Sequence, residues 1–571
     1  MSAASPADLI LHNGRILTFD AADRIVDTLA VGGGRILAAG SYEEAAAFAG
    51  PSTRILDLGG AAVMPGLVDG HAHMDREGLK RVYPSLEGAR SIADIKDRIA
   101  DLARGKRPGE WIVTMPIGDP PYYWNVPESL AEGRWPTRHD LDAAAPHNPV
   151  FIRPIWGFWR HTTPLVTCVN SLALARAGIS RDTRSPSAQM EIETDSAGEP
   201  TGIFREWELQ PIAELLYFRQ IPGFSHADRV AAIPAGARAY HAVGTTSIFE
   251  EHGAASELIR AYKDAHRAGT LTMRTSLVVS PNWRAIGPVD PDAFLEAFGW
   301  ALGEPALGDG MLRVAGLFVD IEPTLNNALR AEALPYTGWA GFNYDTAVDR
   351  ERAKAILLAC ARNDIRAIAI WPNMIDLLEE VDREIPLAGR RWILGHISTL
   401  SPRDIERIAR MGLVITTHTN RYVYKEGHLL KGRLPPERHR EIVPLRDLID
   451  AGVTVALATD NVPTSLFWPV WQAVSRTSLY SEETVVPDQA ITRREALRCA
   501  TVNGARLSFE EDVKGALAPG MVADLAVLSA DPLSVAEARI PEIHALMTMV
   551  GGQIVYERPG WTAAEGRPIP V

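Results

Sequence analysis

The sequence predicts an α/β protein built on a TIM-type (β/α)8 barrel, and three observations predict it. Apolar strand-like runs alternate with helix-like segments through the second half of the chain, the pattern of a parallel sheet with helical crossovers. Sustained over this length, the alternation points to a closed barrel. Histidine or aspartate ends several of these runs, where barrel enzymes carry their chemistry.

In chain order, residues 7–58 contain Leu9-Ile10-Leu11-His12, Arg15-Ile16-Leu17 and Arg35-Ile36-Leu37-Ala38, separated by Asn13-Gly14 and Gly32-Gly33-Gly34. These read as strands joined by tight turns. Next comes Val63-Met64-Pro65-Gly66-Leu67-Val68-Asp69-Gly70-His71-Ala72-His73, a buried strand entered through a turn. Residues 108–164 are rich in proline and aromatic residues, including Tyr122-Tyr123-Trp124 and Trp156-Gly157-Phe158-Trp159, and suit either a pocket wall or core packing. Helices are expected over 228–242, 350–363, 401–411 and 445–451, each followed by a strand, at 244–249, 365–370, 413–417 and 454–460; a further strand is expected over 391–396. Beyond Lys514-Gly515-Ala516-Leu517-Ala518-Pro519-Gly520 the chain is again strand-rich, at 523–528, 547–550 and 553–556. From the residues alone, the two ends make either one β body or two small ones.

At 571 residues, with 46% apolar and 23% charged, the composition is that of a globular enzyme. A net charge of -13 argues against nucleic acid or an anionic membrane as a partner, since both require a basic face. No apolar run approaches the roughly 20 residues of a membrane span, and Met1–Asp8 lacks the form of an export signal. Cys168, Cys360 and Cys499 are odd in number and widely spaced, which fits unpaired thiols and a cytoplasmic location.

Positions i and i+2 of a strand share a face, so His71 and His73 can point to one spot and supply half of a zinc-type site. The alternative is a pair of histidines in a solvated turn. His396 and Asp460 end two later strands, where a loop-capping role competes with a metal-ligand role.

The segment Pro65-Gly66-Leu67-Val68-Asp69-Gly70-His71-Ala72-His73 resembles the first-strand signature of the amidohydrolase superfamily, metal-dependent hydrolases on a TIM-type barrel. The resemblance implies that both chain ends form one small β-sandwich, with boundaries at 1–62 and 511–571 around a barrel at 63–510 carrying an aromatic-rich insertion near 108–164. It also implies His71 and His73 as ligands from the first strand, His396 from the sixth and Asp460 from the eighth. Cys168-Val169-Asn170-Ser171-Leu172-Ala173-Leu174, Thr201-Gly202-Ile203-Phe204-Arg205-Glu206 and Thr501-Val502-Asn503-Gly504-Ala505 look like segments of the formamide-deformylase-like branch, amidohydrolase family 3.

The departures are specific. No histidine stands at Ile368 or Ile370 of the fifth strand, no lysine occurs in Val314–Asp320, and Gly395-His396 replaces a Glu-His pair. A dinuclear centre bridged by a carbamylated lysine is therefore not expected. The remaining set, His71, His73, His396 and Asp460, suits one divalent ion, zinc first and iron or manganese next. Water on such an ion has its pKa lowered to roughly 7, and Asp460 can pass the proton to a departing nitrogen. His161 is a candidate substrate-binding residue, Glu206 a carboxylate orienting a ligand or replacing one, and Glu250-Glu251-His252, after a predicted strand, a replacement for the missing histidine. Trp371 is a candidate apolar wall, and His418, after Thr416-Thr417, and His241, in a helix, are weaker polar candidates for which a structural role is open.

The expected activity is hydrolysis of a C–N bond in a small amide, N-formyl, cyclic amide or amidine-like compound. A lyase or oxygenase on the same scaffold, and a non-catalytic metal-binding subunit, are the rival readings. Homo- or hetero-oligomerisation stays open.

Overall fold

Eight parallel strands follow one another around a ring in the computed structural model, which describes residues 6–120, 123, 125–155, 163–207, 212–302, 307–321, 341, 346–481 and 483–565. In ring order they are Leu67–Asp69, Thr245–Ala254, Arg274–Val279, Leu312–Phe318, Ala367–Ala369, Ile393–Leu394, Val414–Thr417 and Val455–Leu457. Hydrogen bonds also join the last strand region to the first: Gly70 N donates to the Leu457 carbonyl at 3.0 Å, and Asp460 N to the His71 carbonyl at 2.9 Å. Phe249, Val278, Ala315, Ile368, Ile393, Val414 and Ala456 are buried together, so the barrel is packed with side chains.

The crossover helices start and stop where the sequence caps them. Pro402–Met411 has a capping box of Ser401 and Asp404, proline in its first turn, and Gly412 in the left-handed conformation at its end. Its buried Ile405, Ile408 and Met411 recur every third residue and lie on one helical face. Arg350–Arg362 is capped by Asp349, whose side chain accepts from Arg352 N at 2.9 Å.

Both chain ends form a β-sandwich. One sheet orders strands 564–565, 54–57, 9–12, 28–32 and 35–40; the other orders 553–557, 545–550, 525–528, 62–65, 15–17 and 25–26. Period-two alternation sorts the shared strands between two cores. Val63, Leu525 and Val527 enter the sandwich core, whereas Ala62, Met64, Ala526 and Leu528 enter the large core that includes the barrel helices. Ala62–Pro65 therefore belongs to the sandwich, and the barrel proper starts at Leu67.

The chain divides into two compact units: the described residues of Met1–Met74, Ile233–Glu322 and Thr346–Val571 form one, and Asp75–Ala232 forms the main part of the other. The second unit contains a sheet ordered 190–194, 200–206, 165–169, 150–152 and 112–114. The aromatic-rich stretch near 108–164 thus lies within a longer body with its own sheet. There Asn170 caps the helix Ser171–Arg176, its side chain accepting from Ala173 N at 3.1 Å and Val150 N at 2.9 Å, which accounts for the Asn-Ser pair. Among the described residues no helix is long and apolar enough to cross a membrane.

Gly66 makes the passage from sandwich to barrel. A Cβ there would fall on the side chain of Thr246, so the Pro-Gly break records a close approach of two strands. Gly66→Ala is expected to destabilise the protein by about 3 kcal/mol, the upper range for overpacking; a urea unfolding midpoint equal to wild type would contradict this.

Candidate metal centre

The C-terminal ends of five barrel strands deliver the polar cluster. His71 and His73 follow the first strand, Glu250, Glu251 and His252 lie in the second, His396 follows the sixth, His418 the seventh and Asp460 the eighth. Both His396 and Asp460 adopt a left-handed backbone with φ of 51°, a conformation that costs free energy in non-glycine residues and recurs at functional sites.

His71 Nδ1 lies 2.5 Å from Glu251 Oε2, and His73 Nδ1 lies 3.1 Å from Glu250 Oε2. Thr416 Oγ1 donates to Glu251 Oε1 at 2.5 Å, while Met74 N and Tyr262 Oη donate to Glu250 Oε1 at 3.1 and 2.9 Å. His71 Nε2 and His73 Nε2 are 2.9 Å apart, and Asp460 Oδ1 is 3.2 Å from His73 Nε2 and 3.9 Å from His71 Nε2. The His396 and His418 rings stand 5.1 and 4.5 Å from His71. The turn Asn420–Lys425, a π-helix, brings Tyr422 Oη to 3.2 Å from His396 Nδ1.

This donor set fits a cation. Ionised carboxylates only accept, so pairing with Glu251 and Glu250 leaves lone pairs on both Nε2 atoms, which face each other and a third acceptor, Asp460 Oδ1. With both rings neutral, a proton on either Nε2 would move the conflict to Nδ1. A positive ion among these atoms removes it. The groups His71/His73/His252 and His71/His396/His418 each bring ring nitrogens within 4.8 Å of one another.

Burial, and then the neighbouring His418 and His71, hold His396 well below the usual histidine range; burial and then His71 do the same to His418. Both are neutral, the form that binds metals. Burial raises Asp460, but the adjoining imidazoles outweigh it, His73 with its Nε2 at 3.2 Å first and then His71 and His418, leaving Asp460 well below the ordinary carboxylate range.

Of the residues singled out in the sequence, His71, His73, His396 and Asp460 converge. Trp371 packs at a tilt 4.7 Å from His396, and His252 lies 6.1–6.3 Å from His71, His73 and His396, ring to ring. Glu206 is in the second unit, where its Oε1 accepts from Ala213 N at 2.8 Å. His161 lies outside the described residues, as do Tyr122, Trp124 and residues 156–159. Ile368 and Ile370 are buried in the barrel interior. His418, a weaker candidate for which a structural role was open, stands in the cluster, 4.5 Å from His71 ring to ring; its position directly after a strand end was the available signal. His241, the other such candidate, pairs with the Thr245 carbonyl at 2.9 Å and Thr272 Oγ1 at 3.0 Å.

A parallel barrel with imidazoles and a carboxylate gathered at its C-terminal strand ends defines a class, the barrel hydrolases that work with a bound metal. The model of the amidohydrolase family matches residues 54–556, and the chain belongs to that family. It is an amidohydrolase, an enzyme of carbon–nitrogen bonds other than peptide bonds. It is 27% identical to an N-substituted formamide deformylase of Arthrobacter pascens over 97% of this chain and 99% of that protein. It is also 27% identical to the putative amidohydrolase YtcJ of Bacillus subtilis, over 96% and 99% of the two chains. A solved metal-dependent hydrolase from Pyrococcus horikoshii shares the fold with a TM-score of 0.65 at 22% identity, covering 93% of this chain and 99% of that one.

Burial lowers His241 from 6.5 to about 4, against the hydrogen bond to Thr245. The unfolded chain takes up the proton first, so this contribution is complete above pH 6.5 and is lost as pH falls towards 4, on the order of 3 kcal/mol in all. His241→Gln is expected to flatten the urea midpoint against pH over that interval; an unchanged slope would refute the assignment.

Proposed function

We propose that the chain hydrolyses a C–N bond in a small amide, N-formyl, cyclic amide or amidine-like compound, using one divalent ion held by His71, His73, His396 and Asp460. The observation that carries this reading is the meeting of three electron-rich atoms, the Nε2 atoms of His71 and His73 and Asp460 Oδ1, with separations of 2.9 and 3.2 Å. Zinc is the first choice of ion for such donors, and when bound it would polarise the scissile carbonyl and acidify water. Glu251 and Glu250 hold the first two imidazoles in orientation through Nδ1. Asp460, kept ionised, takes the proton of the attacking water on a carboxylate oxygen and returns it to the departing nitrogen, so that water is consumed and acid and amine are released. Trp371, beside His396, supplies an apolar wall. The three cysteines are buried and unpaired, which supports a cytoplasmic setting.

The direct test is turnover of a panel of N-formyl amines, cyclic amides and amidines, with amine or ammonia release, carbon dioxide release and oxygen uptake measured together. Amine or ammonia release that stops on chelation and returns with added zinc supports the proposal; carbon dioxide release or oxygen uptake in its place would overturn it. Asp460→Asn is expected to lower kcat at least about 10³-fold, which a rate assay will check. Glu251→Gln is expected to weaken metal affinity by about 10–100-fold in a chelator competition.

A further inference from the structure

The fifth strand offers no ligand, because Ile368 and Ile370 both point into apolar packing. The seventh strand offers one. His418 follows Val414–Thr417 directly, and its ring lies 4.5 Å from His71 and 4.2 Å from His396. Both of its ring nitrogens are buried without a hydrogen-bond partner, and so is His396 Nε2. Buried imidazoles ordinarily satisfy these atoms, and neutral rings with lone pairs facing one another are what a metal ion requires.

The number of ions follows from His71. It belongs to both candidate groups, His71/His73/His252 and His71/His396/His418. Its Nδ1 is committed to Glu251 at 2.5 Å, which leaves Nε2 alone to bind metal. One lone pair serves one ion. His252 is the more distant competitor: its ring is 6.2 Å from His71 and packs 5.0 Å from Phe318.

We infer that His418 is a ligand of this ion, standing in from the seventh strand for the histidine absent from the fifth, and that the chain holds one ion rather than two. His418 thereby joins His71 and His396, whose ring nitrogens lie within 4.8 Å of its own, in a nitrogen-rich site suited to zinc and to other first-row divalent metals. The inference rests on the reading of a metal-dependent hydrolase and specifies its ligands.

The test is a zinc titration of metal-free wild type, His418→Asn and His252→Asn against a chromophoric chelator, with elemental analysis and the visible spectrum of the cobalt-substituted proteins. Expected are one zinc per wild-type chain, at least a 100-fold loss of affinity and an altered cobalt spectrum in His418→Asn, and affinity within about threefold of wild type in His252→Asn. Two ions per wild-type chain, wild-type affinity and cobalt spectrum in His418→Asn, or an equal loss in His252→Asn would overturn it. Should His418→Asn fail to fold, a crystal structure of zinc-loaded wild type decides: a His418 nitrogen about 2.0–2.1 Å from zinc supports the inference, and a ring turned away defeats it. A wild type that binds no divalent ion defeats the hydrolase mechanism as well, whereas one ion indifferent to His418 defeats this inference alone.

Discussion

The junction of the first and eighth barrel strands is the constraint on which the rest of the site depends. Asp69 accepts from Thr459 N at 3.0 Å, from Thr459 Oγ1 at 2.5 Å and from His71 N at 3.2 Å. Fully buried, it is pushed up to about 7 by desolvation in spite of those bonds. These contacts fix the backbone on either side of the gap. The same stretch presents His71 on one strand and Asp460 on the other, so closure of the ring and convergence of these two side chains are one event.

The carboxylates behind the histidines come from an unexpected strand. In the resembling branch a Glu-His pair stands on the sixth strand; here Gly395 precedes His396, and a Cβ on Gly395 would sit 2.7 Å from Glu251 Oε1 and 2.8 Å from Thr416 Oγ1. The space vacated by the missing side chain is where the second-strand carboxylate and its threonine meet. Substitution at one strand end thereby permits a hydrogen-bond partner to arrive from another, while the imidazole it orients stays put.

Local pattern made some of this legible. His71 and His73 were readable because a strand repeats every two residues, and His396 and Asp460 because apolar runs stop at them. The sandwich pairing of the chain ends came from resemblance, since no local property of Ala62–Pro65 names Leu525–Leu528 as its neighbour. His418 was less readable: a histidine after two threonines looks the same whether it caps a loop or faces a neighbouring strand. Glu250 and Glu251 stood out beside His252 as a replacement for the missing ligand, but their pairing with the first-strand imidazoles was not readable. The second strand runs on to Ala254 with a register shift after Glu250, so strict alternation lapses and successive carboxylates reach His73 and His71. The sheet of Asp75–Ala232 was masked by its proline and aromatic content, which resembles that of an insertion.

Asp69 and Thr459 are 390 positions apart in the chain. A growing polypeptide therefore carries its first two imidazoles long before the seam that orients them exists. Any partial chain ending before the eighth strand has histidines but no enclosure for them.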